Sequence, residues 1–492
     1  MSYLELGRLA LPEAVVALTA LVVLTIGLKH TRSQSLCATV AAMGLVLAIV
    51  SVLQLPRNVD LFHGMLVITP LTSLFKIACL VLALFTIVLA QSGGPSRHHF
   101  SEYLAMILLA TIGLMLLVGS EELLMIFIGL ELTGLSLYVL TGFDKSDRRS
   151  AEAGLKYFLF GSTASAFTLF GLSLVYGMCG TTGLAAIGKT PGIATVQPLL
   201  AVGMIMTLMG FAFKVAAVPF HLWAPDTYQG APVASAAFIA SGSKVASFVV
   251  LGKIVLIGFT PVQESSAWHG MVAGCAPTIA VLAGLSILLG NLVALAQRNV
   301  RRLLAYSAIA HTGYTLLGLA AGAREGFSAT LFYTTIYAFT IMGAFGVVAL
   351  VRRETGGDDL ANFAGLRFRS PWLAGCMAVF LLSLAGLPPL AGFFGKFYLF
   401  AAALRADGNN GLLWLVALAL FGSLVSLYYY LLVLKVIFLD EPDASRRSSL
   451  TPADGMQIEF GQRISLNILV GVVLFLGVMP SPLLARILAA LP

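Results

Sequence analysis

Charge is scarce in this chain. Asp, Glu, Lys and Arg supply 10% of its 492 residues, 59% are hydrophobic and the mean hydropathy is +0.96, whereas a soluble domain carries about 25% charged residues. That deficit excludes a soluble globular protein. Clustered cysteine is lacking too: Cys37, Cys79, Cys179, Cys275 and Cys376 stand far apart, with no CxxC or Cys/His spacing. They read as helix-packing residues, with no zinc or iron–sulfur role expected. No GxGxxG unit and no haem-ligand pair appears, so the chain is not expected to oxidise a nicotinamide cofactor itself. The opening MSYLELGRLALPEAVV lacks a compact basic region followed by a small-residue cleavage site, so the first apolar run is expected to persist as a helix. The formal charge of +7 is scattered through short connections and not interleaved with aromatics, which argues against nucleic acid.

What the chain has in abundance is apolar runs of roughly 18 to 25 residues, each long enough to cross about 30 Å of hydrocarbon at 1.5 Å per residue. Alternating ten-residue segments of a membrane barrel are missing. The runs fall near 10–28, 36–54, 69–90, 102–119, 122–142, 155–178, 197–220, 232–258, 271–295, 302–321, 327–351, 371–402, 411–438 and 464–488. The expectation is an all-α integral membrane protein of about fourteen transmembrane helices.

Loop charge orients it. One set of connections holds Lys29, Arg32, Arg97, Lys145, Arg148, Arg149, Arg298, Arg301, Arg302, Arg352, Arg353, Arg367, Arg369, Arg446, Arg447 and Arg463. The other holds only Arg8, Arg57, Lys189, Arg324, Arg405 and Arg486. The positive-inside rule then puts both termini on the extracytoplasmic side. Two runs carry internal prolines, the seventh in VAAVPFHLWAPD and the twelfth in LSLAGLPPLAGFFGKF, and both helices should break there. Paired broken helices point to inverted repeats around a midplane site. The expected divisions are 1–100 (helices 1–3), 101–260 (a first five-helix repeat, helices 4–8), 261–440 (a second, inverted, helices 9–13) and 441–492 (a cytoplasmic loop and helix 14).

Ionisable residues inside these runs are the candidates for chemistry. Glu131 sits in the middle of LLMIFIGLELTGLSLYVL, Lys214 five residues before the first break, Lys244 about twelve residues into the eighth run, and Lys396 just after the second break. An unpaired charge at such depth costs several kcal/mol, so these four groups read as a proton path, against the plainer alternative of static ion pairs. At an effective dielectric of about 20, opposite charges about 4 Å apart attract by roughly 4 kcal/mol. Moving a charge through 100 mV costs about 2.3 kcal/mol. Motion of Glu131 relative to Lys214 can therefore load or release a proton, with Lys244 and Lys396 passing it on.

Other polar residues carry weaker signals. His221 and His311 are possible relays, because imidazole titrates near neutral pH, although a hydrogen-bonded helix histidine is the usual alternative. Lys76, Lys253 and Lys435 lie nearer run ends and are expected to snorkel to the interface. Asp226, in APDTYQG, is expected to cap the eighth helix, the alternative being a guard at a proton entry. GLAAIGKT, at 183–190, matches the phosphate-binding GxxxxGK[ST] pattern, but no strand precedes it and Pro191 and Gly192 follow, so it reads as a chance match.

The segment GFAFKVAAVPFHLWAPDTYQGAPVASAAFIASGSKVASF resembles the signature of the antiporter-like membrane subunits of respiratory complex I. GLELTGLSLYVLTGF, NLVALAQRNVRRLLAYSAIAHTGY and FAGLRFRSPWLAGCMAVFLLSLAGLPPLAGFFGKFYLF extend the likeness over roughly residues 100 to 440. Within the family the chain looks most like the N-type branch of bacterial NADH-quinone oxidoreductase. M-type subunits carry a glutamate where this chain has Lys396, and L-type subunits continue into a long lateral helix. The resemblance implies a proton-translocating subunit of the membrane arm in a bacterial cytoplasmic membrane. Glu131, Lys214, Lys244 and Lys396 match the family's charged axis, and His311 its helix-10 histidine. It implies no cofactor in this chain, with flavin and iron–sulfur clusters in partner subunits, and neighbours of the antiporter-like M type and the small K type. The residues ASGS stand before Lys244 where relatives often have proline, which leaves the shape of helix 8 open. A cation/proton antiporter of the Mrp kind and a membrane-bound hydrogenase subunit are the rival readings.

Overall fold

Inside hydrocarbon a backbone must bond to itself, so apolar runs of this length close into helices. The computed structural model describes residues 3–29, 34–93, 99–190, 197–259, 275–406, 412–441 and 458–491, and is almost entirely helical. In chain order the long helices are α1 (Leu11–Lys29), α2 (Gln34–Leu53), α3 (Pro70–Gly93), α4 (Phe100–Gly119), α5 (Leu123–Thr141) and α6 (Arg148–Cys179). The seventh position holds two shorter helices, α7a (Pro198–Lys214) and α7b (Trp223–Gly230). Then come α8 (Val233–Gly258), α9 (Cys275–Ala294), α10 (Val300–Ala320) and α11 (Ala323–Thr355). The twelfth position is again a pair, α12a (Pro371–Ala385) and α12b (Ala391–Arg405), followed by α13 (Leu413–Phe438), α14 (Phe460–Val478) and α15 (Ser481–Ala490). Among the described residues, twelve helices are long and apolar enough to cross a membrane, and the chain is a multi-pass membrane protein.

Several details differ from the sequence reading. The run at 464–488 is two helices, because Pro480 and Pro482 interrupt it and α15 restarts with proline in its first turn. A short helix, Tyr3–Leu9, precedes α1, and a two-stranded hairpin pairs Val59–Leu61 with Leu66–Ile68 between α2 and α3. Helices α6 and α11 extend past their apolar runs because capping, not hydropathy, ends them. Asp147 accepts from the Arg149 amide at 2.9 Å, and Gly356 closes α11 in the left-handed region at φ +73°. Helix α8 is not a uniform α-helix: Ile239–Ser243, which contains the ASGS stretch, and Ile254–Gly258 form π turns. Such single π turns recur at functional sites.

Helix α11 is the hub, packing against α3, α8, α10, both halves of the twelfth helix, α14 and α15. Around it α4 lies along α5, α6 along α7a, and α9 along α10. Arg32, Arg97, Arg446, Arg447, Pro191, Gly192, the division at 260/261 and most of the loop opening the 441–492 segment lie outside the described residues.

Candidate functional site

Both broken helices place a lysine at the break. Helix α7a ends at Lys214, and Ala216 turns the chain through the left-handed region at φ +60°; a non-glycine residue held there costs about 1–3 kcal/mol. The groups the break frees are satisfied within the bundle. The Val218 amide donates to Ser286 Oγ at 2.9 Å and Trp223 Nε1 donates to the Phe213 carbonyl at 3.0 Å. Lys214 therefore sits at a helix C-terminus, the negative end of the dipole. At the second break Gly386 takes φ +88°, and Lys396, from the first turns of α12b, donates to the Ala385 carbonyl at 2.9 Å. Here the lysine itself occupies an orphaned carbonyl. Both breaks contain a cis peptide, at Val218–Pro219 and Pro388–Pro389.

The four sequence-selected lysine and histidine positions near the centre are enclosed: Lys214 is 6% exposed, Lys244 3%, Lys396 5% and His311 2%. Glu131 is half-buried on α5. It forms no direct ion pair with Lys214; a cavity of about 20 Å³, lined by Glu131, Tyr138, Ser165, Thr168 and Lys214, lies between α5, α6 and α7a. One water needs about 10–15 Å³. A water-sized gap, not contact, separates the two charges. Gly134, one turn along α5 from Glu131, lies beside the ammonium: a Cβ there would stand 3.5 Å from Lys214 Nζ, in ordinary contact.

From Lys214 the polar line continues through one hydroxyl. Thr312 Oγ1 donates to the carbonyl of Val215 at 2.7 Å and lies 3.0 Å from that of Ala308. Lys244 donates to the same hydroxyl at 2.8 Å and to Ala308 O at 2.6 Å, with its ammonium 5.3 Å above the Tyr337 ring. The neighbouring His311 meets the Tyr333 hydroxyl at 2.5 Å through Nδ1 and the Tyr430 hydroxyl at 3.1 Å through Nε2. Tyr430 is bonded in turn to Ser307. The His311 ring lies 5.6 Å from that of Tyr314, edge to face. Lys396 Nζ lies 4.9 Å over the ring of Tyr314, whose hydroxyl accepts from Asn291 at 3.0 Å. Lys214, Lys244, His311 and Lys396 thus lie buried about α10 among Thr312 and aromatic hydroxyls, and half-buried Glu131 shares a small cavity with Lys214. Thr312, Tyr314, Tyr333, Tyr337 and Tyr430 were missed from sequence because a buried hydroxyl leaves no hydropathy signal; the run AHTGY beside His311 is the one place where polar residues cluster.

His221 is buried beyond the first break, and among the described residues its Nδ1 has no hydrogen-bond partner, so the structure does not join it to this group.

Three expectations are corrected. Lys76 and Lys253 do not snorkel: they are 1% and 2% exposed, Lys76 pairing with Glu13 at 2.6 Å and Lys253 with Glu121 at 3.1 Å. Carboxylates far away in sequence hold them inside, which run-end position cannot reveal. Lys435 is exposed. Asp226 does not cap α8, whose N-cap is Pro232; it is held between Lys156 at 2.7 Å and Arg302 at 2.6 Å. Arg301, counted above with the loop cations, is buried against Asp358 and donates to the Ala231 carbonyl at 2.8 Å. Burial pushes the Asp358 carboxyl up, but Arg301, Asn299 and Arg352 outweigh it and hold it below its ordinary range. The GLAAIGKT stretch forms only a four-residue helix, Leu184–Ile187, after a bridge from Gly183 to Glu122, with no strand-to-helix cradle for phosphate. None of the five cysteines is in a disulfide, and among the described residues no group of three or more His, Cys, Asp or Glu side chains could hold a metal ion.

Residues 120–426 match the family model described as "NADH:quinone oxidoreductase/Mrp antiporter, TM". The chain is 46% identical to NADH-quinone oxidoreductase subunit N 2 of Acidobacterium capsulatum over 98% of its own length and 99% of the relative's. It is 40% identical to NADH-quinone oxidoreductase subunit N of Moorella thermoacetica, over 96% and 95%. Among solved structures, a chain of respiratory complex I from Thermus thermophilus superposes with a TM-score of 0.78 at 32% identity, covering 96% of this chain and 98% of that one. A chain of the Mrp complex from a Dietzia species gives 0.83 at 22% identity, over 98% and 96%, and shares the fold.

Proposed function

Since this chain belongs to the NADH:quinone oxidoreductase/Mrp antiporter transmembrane family, we propose that it is the N-type, proton-translocating membrane-arm subunit of an NADH:quinone oxidoreductase. It is part of an oxidoreductase complex without holding a redox centre: flavin, iron–sulfur and quinone chemistry belong to partner chains, and its neighbours in the bacterial cytoplasmic membrane are the M-type and small K-type subunits. The observation that carries the reading is the gathering of buried Lys214, Lys244, His311 and Lys396 about α10: the Val215 carbonyl beside Lys214 and the Lys244 ammonium share the Thr312 hydroxyl, and Lys396 lies over Tyr314.

In this reading Glu131 sets the charge state of Lys214 across a single water. At an effective dielectric of about 20, charges roughly 6 Å apart attract by about 3 kcal/mol, comparable to the ~2.3 kcal/mol of moving one charge through 100 mV. A small displacement of Glu131 therefore suffices to load or unload the lysine. Thr312 and the tyrosine hydroxyls connect the lysines, and the two breaks supply the room for water. Counting each broken pair as one crossing gives fourteen, with residues 101–260 and 261–440 as inverted repeats and both termini extracytoplasmic. The rival reading, a cation/proton antiporter, is supported by the fold and by a family model that spans both groups, whereas the full-length relatives quoted above favour the oxidoreductase.

The test is Lys214→Ala in the assembled complex. The complex is expected to form and proton pumping to fall; pumping at the native stoichiometry refutes the role.

A further inference from the structure

A second group of buried charges stands apart from that line. Helix α4 ends at Gly119, and two ammonium groups converge on its C-terminus. Lys253 donates to the Val118 carbonyl at 3.0 Å and lies 3.5 Å from that of Ser120, while Lys76 Nζ lies 3.0 Å from where a Cβ on Gly119 would stand. The negative end of a helix dipole is a natural seat for cations. Each lysine has its own carboxylate: Glu13, on α1, for Lys76, and Glu121, beside the α5 N-terminus, for Lys253. The outer pair forms part of the wall of a cavity of about 750 Å³, lined also by Asn58, Arg324, Phe327 and Leu491. That is far more than the ~10–15 Å³ one water needs. The cavity lies at the face carrying Leu491, and Arg324 holds the C-terminal helix over it by donating to Leu488 O and Leu491 O at 2.9 and 2.8 Å.

Lys253 is on the same helix as Lys244, nine residues nearer that face, which is about 13 Å of helical rise. Between them and the cavity mouth no other lysine or histidine of α8 intervenes. We propose that the Lys253–Glu121 pair is a proton-release station: Lys253 hands a proton to cavity water and is reloaded from the buried axis. The N–H bond of the ammonium breaks, an O–H bond to water forms, and the neutral amine stays beside Glu121 until a proton from the axis restores it. Glu121 keeps the cation stable enough to load, and Lys76, itself balanced by Glu13, favours release by like-charge repulsion. The other charge lining the cavity with the pair is Arg324; the neighbouring Glu122 is engaged in capping α5, accepting from the Met125 amide at 2.7 Å. The proposal rests on the proton-translocating reading above.

Lys253→Arg separates release from mere ion pairing. Arginine preserves the cation and its carboxylate partner but does not give up its proton. In the purified complex reconstituted in liposomes, Lys253→Arg is expected to assemble and to lose proton flux; native flux overturns the proposal. Should that variant fail to assemble, Glu121→Gln decides: acidifying the compartment on the cavity side inhibits flux, and the pH of half-inhibition is expected to shift downward, because the lysine without its carboxylate releases more readily. An unshifted profile overturns the proposal. Lys214→Ala in the same assay keeps the two readings apart: flux lost with Lys214→Ala but native with Lys253→Arg sinks only the release station.

Discussion

Thr312 offers the sharpest test of the buried line, because one hydroxyl serves both sides of it. Thr312→Val keeps the shape and removes the oxygen. Lys244 then loses the acceptor at 2.8 Å and retains the Ala308 carbonyl, while Val215 O loses its donor at 2.7 Å. A hydrogen bond to a charged group is worth about 1.5–3 kcal/mol. The protonated lysine alone bears that loss, since the neutral amine gains less from the acceptor, and about 1.4 kcal/mol is a factor of ten. Loading of Lys244 should therefore be disfavoured by roughly ten- to a hundredfold. Fold stability should change far less, because Thr312 has no other tertiary partner whose loss leaves a charge unpaired. The assay is proton uptake in liposomes containing the whole complex, with assembly followed on native gels. Thr312→Val should assemble and pump slowly, and Thr312→Ser should restore the rate. Native pumping by the valine variant would show that the connection through Val215 and Thr312 carries no protons.

Further outcomes follow from other parts of the structure. Glu131→Gln should lower pumping as Lys214→Ala does, and the double variant should be no worse than the worse single one, because both act on one gap; additive losses would place them on separate paths. Asp358→Asn leaves Arg301 buried with its main partner gone, an expected cost of about 3–5 kcal/mol, read as a lower melting temperature of the purified complex. Because the folded Asp358 carboxyl is held below its ordinary value, its contribution is fully present above the unfolded pKa of about 3.9 and is lost as pH falls through the lower folded value. Acid melting of the asparagine variant should lack that component; an identical acid profile would remove Asp358 from the account. Gly392→Ala should prevent assembly, since its Cβ would fall 1.8 Å from the Ser383 carbonyl oxygen, where backbone cannot yield. Near-native amounts of that variant would mean the two halves of the twelfth helix are packed differently.

Much of the site was legible before any fold was known. Glu131, Lys214, Lys244 and Lys396 were visible because a charge in the middle of an apolar run is conspicuous at any depth of reading, and the two breaks because proline cannot continue a helix. Lys76 and Lys253 were misjudged on the same evidence. Position near a run end suggests that a long side chain reaches the interface, but Glu13 is 63 residues from Lys76 and the Val118 carbonyl is 135 from Lys253, so nothing local betrays the partner. Asp226 was misread likewise, its partners Lys156 and Arg302 lying 70 and 76 residues away.

Hydropathy, proline and charge are local properties, so the sequence alone determined that this is a helical membrane protein, that the seventh and twelfth helices break, and that Glu131, Lys214, Lys244 and Lys396 fall within apolar runs. Which of those groups lie near one another was decided by packing. Lys244 reaches Thr312 across 68 residues, and His311 reaches Tyr430 across 119. Only the tertiary structure chooses which faces of α8, α10, α11 and α13 meet, and a hydroxyl among leucines becomes a link between lysines only when that choice puts it there.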